Sequence, residues 1–198
     1  MTVIGLTGPS GSGKTSLCLA AKKLGCMTIN ADEVYHDLLV PPSKCLDEIV
    51  SVFGDVLSDD GALDRKKLGS IVFADPEKLD LLNSVTHKYV KQKFRERICE
   101  MKNDGVKTVI VDAPTLFESG FDKECDMTVC LLASQELRRE RIISRDKIDS
   151  ERADARLLAQ KNDDFFISRA DRVIYNNGSI SMLENALSEL ISQTEKQV

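Results

Sequence analysis

In this sequence of 198 residues the longest apolar runs, such as Val109-Ile110-Val111, fall far short of a membrane-spanning segment, which needs roughly 18 or more apolar residues. The opening MTVIGLTGPSG has no basic region and no long apolar stretch before a small-residue cleavage site. No signal peptide is read there, and cytoplasmic residence is the expectation. Among the six cysteines (Cys18, Cys26, Cys45, Cys99, Cys125 and Cys130) no pair has C-x-x-C spacing, and the two histidines, His36 and His87, lie far from any cysteine pair. A zinc site is therefore not expected. Without an export signal the thiols are expected to be reduced, most of them buried as small apolar groups. An excess of positive charge is also missing. A net charge of −5 and a pI near 5.2 argue against a nucleic-acid binder that relies on bulk charge, and leave only a local basic patch open. There is no internal repeat and no low-complexity tract.

What the chain does contain is ordinary globular material, 42% apolar and 30% charged. The length suits one domain with room for an inserted subdomain. At this size about 70% of the unfolded surface can be buried, so no disulfide or metal staple is required. Val3-Ile4-Gly5-Leu6 reads as a first strand, followed by a Gly-rich turn and a helix from about Lys14 to Leu24 that Gly25 ends. Further short strands are predicted at Met27–Asn30, Thr108–Asp112, Met127–Ala133 and Arg172–Tyr175. Short apolar strands alternating with helices indicate a parallel sheet covered on both faces.

The stretch from about Ala31 to Asp104 contains no convincing strand. Asp75-Pro76-Glu77 is a helix start with a cap, a proline at the first helical position and an acid. Leu79, Leu82, Val85, Tyr89, Val90, Phe94, Ile98 and Met101 continue it as an amphipathic helix of up to about seven turns. This block is read as a helical insertion. Residues from about Gln135 to Phe166 form a second helical, Arg-rich stretch. Ile180, Leu183, Leu187, Leu190 and Ile191 mark one face of a closing helix.

Gly8-Pro9-Ser10-Gly11-Ser12-Gly13-Lys14-Thr15 matches G-x-x-x-x-G-K-[ST] between a strand and a helix. The glycines let the backbone wrap a phosphate, and the loop amides with the helix N-terminus supply partial positive charge. Lys14 is expected to reach the β- and γ-phosphates, and Thr15 to bind Mg²⁺ through its hydroxyl. No N-K-x-D guanine signature occurs, but the choice of nucleotide stays open on the motif alone. Asp32 follows the second strand, at the sheet edge where open α/β folds bind ligands. It reads equally as a base or orienting group for an acceptor hydroxyl and as a helix cap. Asp112 ends a buried strand, where a carboxylate helps hold Mg²⁺ or its water shell; the alternative is a turn residue before Pro114. Arg138, Arg139, Arg141, Arg145, Arg152 and Arg156 crowd into nineteen residues. Arg141 and Arg145 share a helix face, as arginines on a phosphate-neutralising lid would. The alternative is a solvated face paired with Glu136, Glu140 and Glu151, and Arg138 and Arg139 are read as surface charges.

With these features in place, the chain resembles the dephospho-coenzyme A kinase family over nearly its whole length. The resemblance is carried by Gly5-Leu6-Thr7-Gly8 with the P-loop, Ala31-Asp32 with His36, and Gly61-Ala62-Leu63-Asp64-Arg65 with Leu68 and Val72-Phe73. It continues through Leu82-Asn83 with His87, Asp112 to Glu118, Gln135…Arg141…Arg145-Asp146, Arg156…Gln160, Ala170 to Ile174 and Asn176-Asn177-Gly178. It implies a P-loop NTPase-type α/β fold with a five-stranded parallel sheet, divided into a core (about 1–30, 105–134 and 167–198), an acceptor-binding insertion (about 31–104) and a lid (about 135–166).

The implied reaction passes the γ-phosphoryl group of ATP, with Mg²⁺, to the ribose 3′-hydroxyl of dephospho-CoA. Asp32, Lys14 and Arg141 match catalytic positions. Gly8, Ser10, Gly11, Ser12, Gly13, Lys14, Thr15, Arg145, Asn176 and Gly178 match the ATP side, with Asn176 to Gly178 near adenine. Asp32, His36, Arg65, His87, Leu116, Phe117 and Glu118 match the acceptor side. Departures from the usual family pattern are Pro9-Ser10 for Gly-Ile, Asn30 for an acid, Lys88 for proline and Thr115 for leucine. The expected partners are ATP and dephospho-CoA, with no nucleic acid or membrane, in a monomer or weak homo-oligomer. The alternatives are another P-loop nucleoside or nucleotide kinase, and a non-catalytic nucleotide-binding regulator.

Overall fold

The computed structural model describes residues 1–195, so the last three positions of the expected core segment 167–198 lie outside the described residues. The strands β1 (Thr2–Thr7), β2 (Met27–Asn30), β3 (Thr108–Asp112), β4 (Met127–Leu132) and β5 (Arg172–Tyr175) form one sheet in the order β2-β3-β1-β4-β5. β1 pairs in parallel with β3 and β4, and β4 with β5. The inner strands β1 and β3 are buried along their whole length, which is why TVIGLT and TVIVD read as near-continuous apolar runs.

Two acids pin neighbouring strands. Asp126, just before β4, accepts the Val3 N–H of β1 at 2.7 Å. Asp171, just before β5, accepts both the N–H and the hydroxyl of Thr128 in β4, each at 2.7 Å. The Thr128 hydroxyl and amide hold the Asp171 carboxyl below the usual carboxylate range.

Two compact units make up the chain, one of Met1–Ile29 with the chain from Met101 onward, the other of Asn30–Glu100. In the first, α1 (Lys14–Lys23) and α10 (Ile180–Glu195) cover one face of the sheet. Leu17, Ala20 and Ala21 of α1 and Leu183, Leu187 and Leu190 of α10 pack with Ile4, Leu6, Ile110, Val129 and Leu131. Ile180, the first residue of α10, differs from the expected face and is 54% exposed. On the opposite face Cys130 and Leu132 meet Phe117, Phe165, Phe166 and Val173. Alternate residues of β4 thus serve opposite layers, the period-two pattern of a strand.

The first unit also holds α6 (Leu116–Ser119), α7 (Gln135–Asp146), α8 (Ser150–Leu158) and α9 (Asp163–Ile167). Ser134, Asp149 and Asn162 cap α7, α8 and α9 through their side chains. Ile142 of α7 packs with Ala153 and Leu157 of α8. Arg139 and Arg138 are not the free surface charges expected of them. Arg139 clamps Asp154 of α8 with Nε and Nη2 at 2.6 and 3.1 Å. Arg138 is only 6% exposed and reaches Asp163 of α9 at 3.0 Å. Its long apolar stem is buried while its head finds a carboxylate, a solution open to arginine on the inner face of a helix. The partners of this arginine-rich stretch are chiefly aspartates of the same three helices rather than Glu136, Glu140 and Glu151.

The second unit is helical: α2 (Ala31–Asp37), α3 (Lys44–Phe53), α4 (Arg65–Val72) and α5 (Pro76–Asn103), the last running into the first unit's sequence. Asn30, Ser43 and Asp64 cap the first three, and the Asp75 carboxylate accepts the Glu77 N–H at 3.0 Å at the start of α5. Cys45 and Ile49 of α3, Leu68 and Val72 of α4 and Leu82 and Val85 of α5 form its core. Among its described residues the only ladder pairing is an isolated bridge between Leu57 and Leu63. No helix among the described residues is long and apolar enough to cross a membrane.

Candidate active site

The turn from β1 into α1 carries the Gly8–Thr15 motif. It is wedged between β4, α7 and the end of β5. A β-carbon on Gly11 (φ +80°) would lie 2.6 Å from the Arg138 carbonyl oxygen and 2.9 Å from the Arg138 Cα, both backbone atoms of α7. Only a residue without a side chain passes there. At Gly13 the same construction meets the Asn176 carboxamide nitrogen at 2.3 Å. At the start of the loop the Thr7 hydroxyl donates to the Pro114 carbonyl at 3.2 Å, tying it to the segment after β3. The first amides of α1, a ten-residue helix, form an anion-binding end with no acidic side chain in the first turn. Lys14 folds over the loop, its ammonium donating to the Gly8 carbonyl at 2.7 Å.

Arginine and asparagine side chains brace this loop from outside. Arg141 Nη1 donates to the carbonyls of Gly11 and Ser12 at 3.2 and 3.4 Å, and Nη2 to the Asn176 carbonyl at 3.0 Å. Asn176, 8% exposed at the end of β5, donates through Nδ2 to the Ser12 carbonyl at 2.8 Å. Asn177 accepts the Ser134 N–H at 2.8 Å, and Gly178 beside it is exposed. Arg145, one turn beyond Arg141, donates to the Ser10 hydroxyl at 3.3 Å and pairs with Asp146 at 2.7 Å. The Ser12 hydroxyl is fully buried.

Two side chains suit Mg²⁺. Thr15 lies exposed in the first turn of α1. Cys18, three residues on and hence on the same helix face, directs its thiol at the Asp112 carboxylate at 3.9 Å, so Asp112 stands one turn below Thr15. Burial and then the Asp112 charge push the Cys18 thiol up to about 12, so it stays protonated as the donor. A hydroxyl and a carboxylate are hard oxygen donors, and Mg²⁺ bound mainly through phosphates and water needs few of them. The residues present therefore fit the ion. Among the described residues no group of three or more His, Cys, Asp and Glu side chains is placed to hold a metal ion by itself.

The expected acceptor residues fall in both units. Asp32 is exposed in the first turn of α2, but the cap of that helix is Asn30, whose side chain accepts the N–H groups of Asp32 and Glu33 at 2.8 and 3.1 Å. The capping alternative for Asp32 is thereby removed. His36 and Arg65 meet, Nδ1 and Nη2 being 2.8 Å apart. His87 lies half-buried on α5, where burial and then Lys91 lower its pKa below the ordinary 6.5. In the first unit Phe117 joins the aromatic cluster under α9, and Glu118 is exposed. Leu116, expected to line the acceptor pocket, is instead fully buried under β1. Its methyl carbons stand 2.8 and 3.2 Å from where a β-carbon on Gly5 would be. A strand glycine leaves a hole, and the nearest apolar side chain fills it.

Two residues of the site had no role assigned from the sequence. Gln160, just past α8, accepts the Ser10 N–H at 2.5 Å, and Asp146 receives both Arg145 and Arg156. Only the four-residue step from Arg156 to Gln160, one helical turn, hinted that the two act together.

A parallel sheet whose first strand feeds a glycine loop, a lysine and a helix N-terminus, braced by arginines of a helical segment, defines a P-loop nucleotide-binding phosphotransferase. The comparisons agree. A family model described as dephospho-CoA kinase matches residues 2–182, and the chain belongs to that family of ATP-dependent kinases. A dephospho-CoA kinase of Fusobacterium nucleatum is 39% identical over 182 residues, 91% of this chain and 92% of the relative. The crystal structure of TT1252 from Thermus thermophilus superposes with a TM-score of 0.82 at 29% identity, covering 97% of both chains. The dephospho-CoA kinase structure from Campylobacter jejuni gives a TM-score of 0.70 at 28% identity, covering 98% of both.

Proposed function

We propose that this chain phosphorylates the ribose 3′-hydroxyl of dephospho-CoA with ATP, the last step in making coenzyme A. The observation that carries the reading is an intact P-loop inside a chain whose family match runs over residues 2–182. Lys14 and the loop amides hold the β- and γ-phosphates, and Thr15 and Asp112 hold Mg²⁺, directly or through water. When bound there, Mg²⁺ would supply neutralisation of the charge developing on the transferring group. Asp32 orients the acceptor hydroxyl or takes its proton, a role supported by Asn30 having relieved it of capping. Arg141 and Arg145, on a helical lid of α7 to α9, stabilise charge on the departing phosphoryl group. His36, Arg65, His87, Phe117 and Glu118 contact the acceptor. Asn176 and Gly178 contribute near adenine, Asn176 by fixing the loop backbone. The same reading has the enzyme working in the cytoplasm as a monomer or weak oligomer.

A coupled assay offering dephospho-CoA, uridine and the common nucleoside monophosphates separately tests the substrate. Turnover with a nucleoside monophosphate and none with dephospho-CoA would overturn the reading. Asp32→Asn tests the base. Its kcat is expected to fall about 10²- to 10⁴-fold with nucleotide binding intact. A normally melting variant that keeps more than about a third of kcat removes Asp32 from the chemistry. Lys14→Ala is expected to abolish transfer and weaken nucleotide binding.

A further inference from the structure

Ser10, the third residue of the loop, is held by the α7–α8 pair through both its polar groups. Its N–H donates to Gln160 Oε1 and its hydroxyl receives Arg145 Nη2. Gln160 Nε2 donates in turn to the Arg156 carbonyl at 2.8 Å at the end of α8. The Arg156 guanidinium pairs with Asp146, and Asp146 accepts Arg145 Nε and Nη2 at 2.7 and 2.9 Å. These links close a ring: Ser10, Gln160, Arg156, Asp146, Arg145 and back to Ser10. The Arg145 guanidinium beside it holds the Asp146 carboxyl below its ordinary range, so the carboxylate stays charged as the hub.

The ring has a mechanical consequence. Arg145 is exposed on a flexible stem, and Asp146 and Ser10 orient its head. Its head is aligned over the loop only if Ser10 and the α7–α8 pair keep their spacing. Gln160 bridges the backbone of the loop to the backbone of α8, with its two amide ends pointing opposite ways. We infer that Gln160 is a positioning residue of the phosphoryl-transfer site, latching α8 to the P-loop at Ser10 so that Arg145 is held over the transferring phosphate. This rests on the kinase reading above, in which Arg145 acts on the phosphates.

The test uses the full chain with ATP, Mg²⁺ and dephospho-CoA, and compares Gln160→Ala, Gln160→Glu, Arg145→Ala and the double variant Arg145→Ala with Gln160→Ala. Losing the bridging bonds is expected to lower kcat of Gln160→Ala about five- to tenfold, with the dephospho-CoA KM unchanged. Gln160→Glu keeps an acceptor for the Ser10 N–H and is expected to recover part of the loss. In the Arg145→Ala background, removing Gln160 is expected to cost less than about twofold, because the residue through which it acts is gone. An equal loss in both backgrounds, or a Gln160→Ala variant with the parent kcat, overturns the assignment.

Amide hydrogen exchange along α8 in the ligand-free protein reads the latch without turnover. It is expected to quicken about fivefold in Gln160→Ala, and an unchanged rate would overturn the latch. A parent protein that fails to phosphorylate dephospho-CoA refutes the kinase reading instead. The exchange experiment still decides the latch in that case.

Discussion

Gly11 and Gly61 share a backbone conformation, φ +80° in each, but not surroundings. A β-carbon at Gly61 meets nothing within 4 Å, whereas at Gly11 it meets three backbone atoms of Arg138 at 2.6, 2.9 and 3.1 Å. Substituting alanine at either site forces an L-residue into the left-handed region, at about 1–2 kcal/mol. The gain from a stiffer unfolded chain is the same for both and cancels in the comparison. At Gly11 the clash is with helix backbone, which no rotamer change relieves. Pushing loop and α7 apart adds about 1–3 kcal/mol, the range for overpacking.

Gly61→Ala is therefore expected to lose about 1–2 kcal/mol and Gly11→Ala about 2–5, the sum of the two costs. For a chain of this length each kcal/mol moves the melting midpoint by about 2–4 °C. Thermal melts of both variants, with titration of a non-hydrolysable ATP analogue, check the argument. Gly11→Ala should also bind the analogue at least about tenfold more weakly, since the loop that holds phosphate is the part displaced. Equal midpoint shifts in the two variants would refute the reasoning, because they would leave conformational strain as the whole effect and the contact with Arg138 as nothing.

Arg141→Ala is expected to lower kcat about 10²-fold and stability by about 1–3 kcal/mol, because its guanidinium also holds three loop and strand carbonyls; an unchanged melt would show that this bracing is negligible. His87 has a pKa depressed below 6.5, so the unfolded chain binds the proton more readily. Its contribution is expected to be present above pH 6.5 and lost as pH falls below it, until the folded pKa is passed. Melts of His87→Gln between pH 5 and 7.5 should show a flatter pH dependence than the parent. In the native protein Cys99 alone is exposed, while burial raises the Cys45 thiol to about 11 and those of Cys18, Cys125 and Cys130 to about 12. A disulfide reagent at pH 8 is expected to modify one thiol quickly and the rest only on unfolding.

What the sequence determined by itself is whatever depends on neighbours along the chain. The P-loop spans eight consecutive residues, so its glycines, Lys14 and Thr15 could be recognised without knowing where the chain goes next. The helix start at Asp75 is equally local, because a cap bonds to an amide two or three residues on. The strands were legible because inner strands of a covered sheet must be apolar on both faces. Tertiary structure decided the rest. Nothing along the chain said that the Arg138 side chain would turn inward to Asp163 or that Leu116 would fill the space above Gly5. Each choice went to whichever group lay nearest once the layers had packed. Ser10 and Gln160 are 150 residues apart and meet only because β4 lies beside β1 in the sheet and carries α7 and α8 back to the loop. A contact of that range leaves no periodicity to read, because its geometry is set by the packing of elements whose own formation depends on local residues alone.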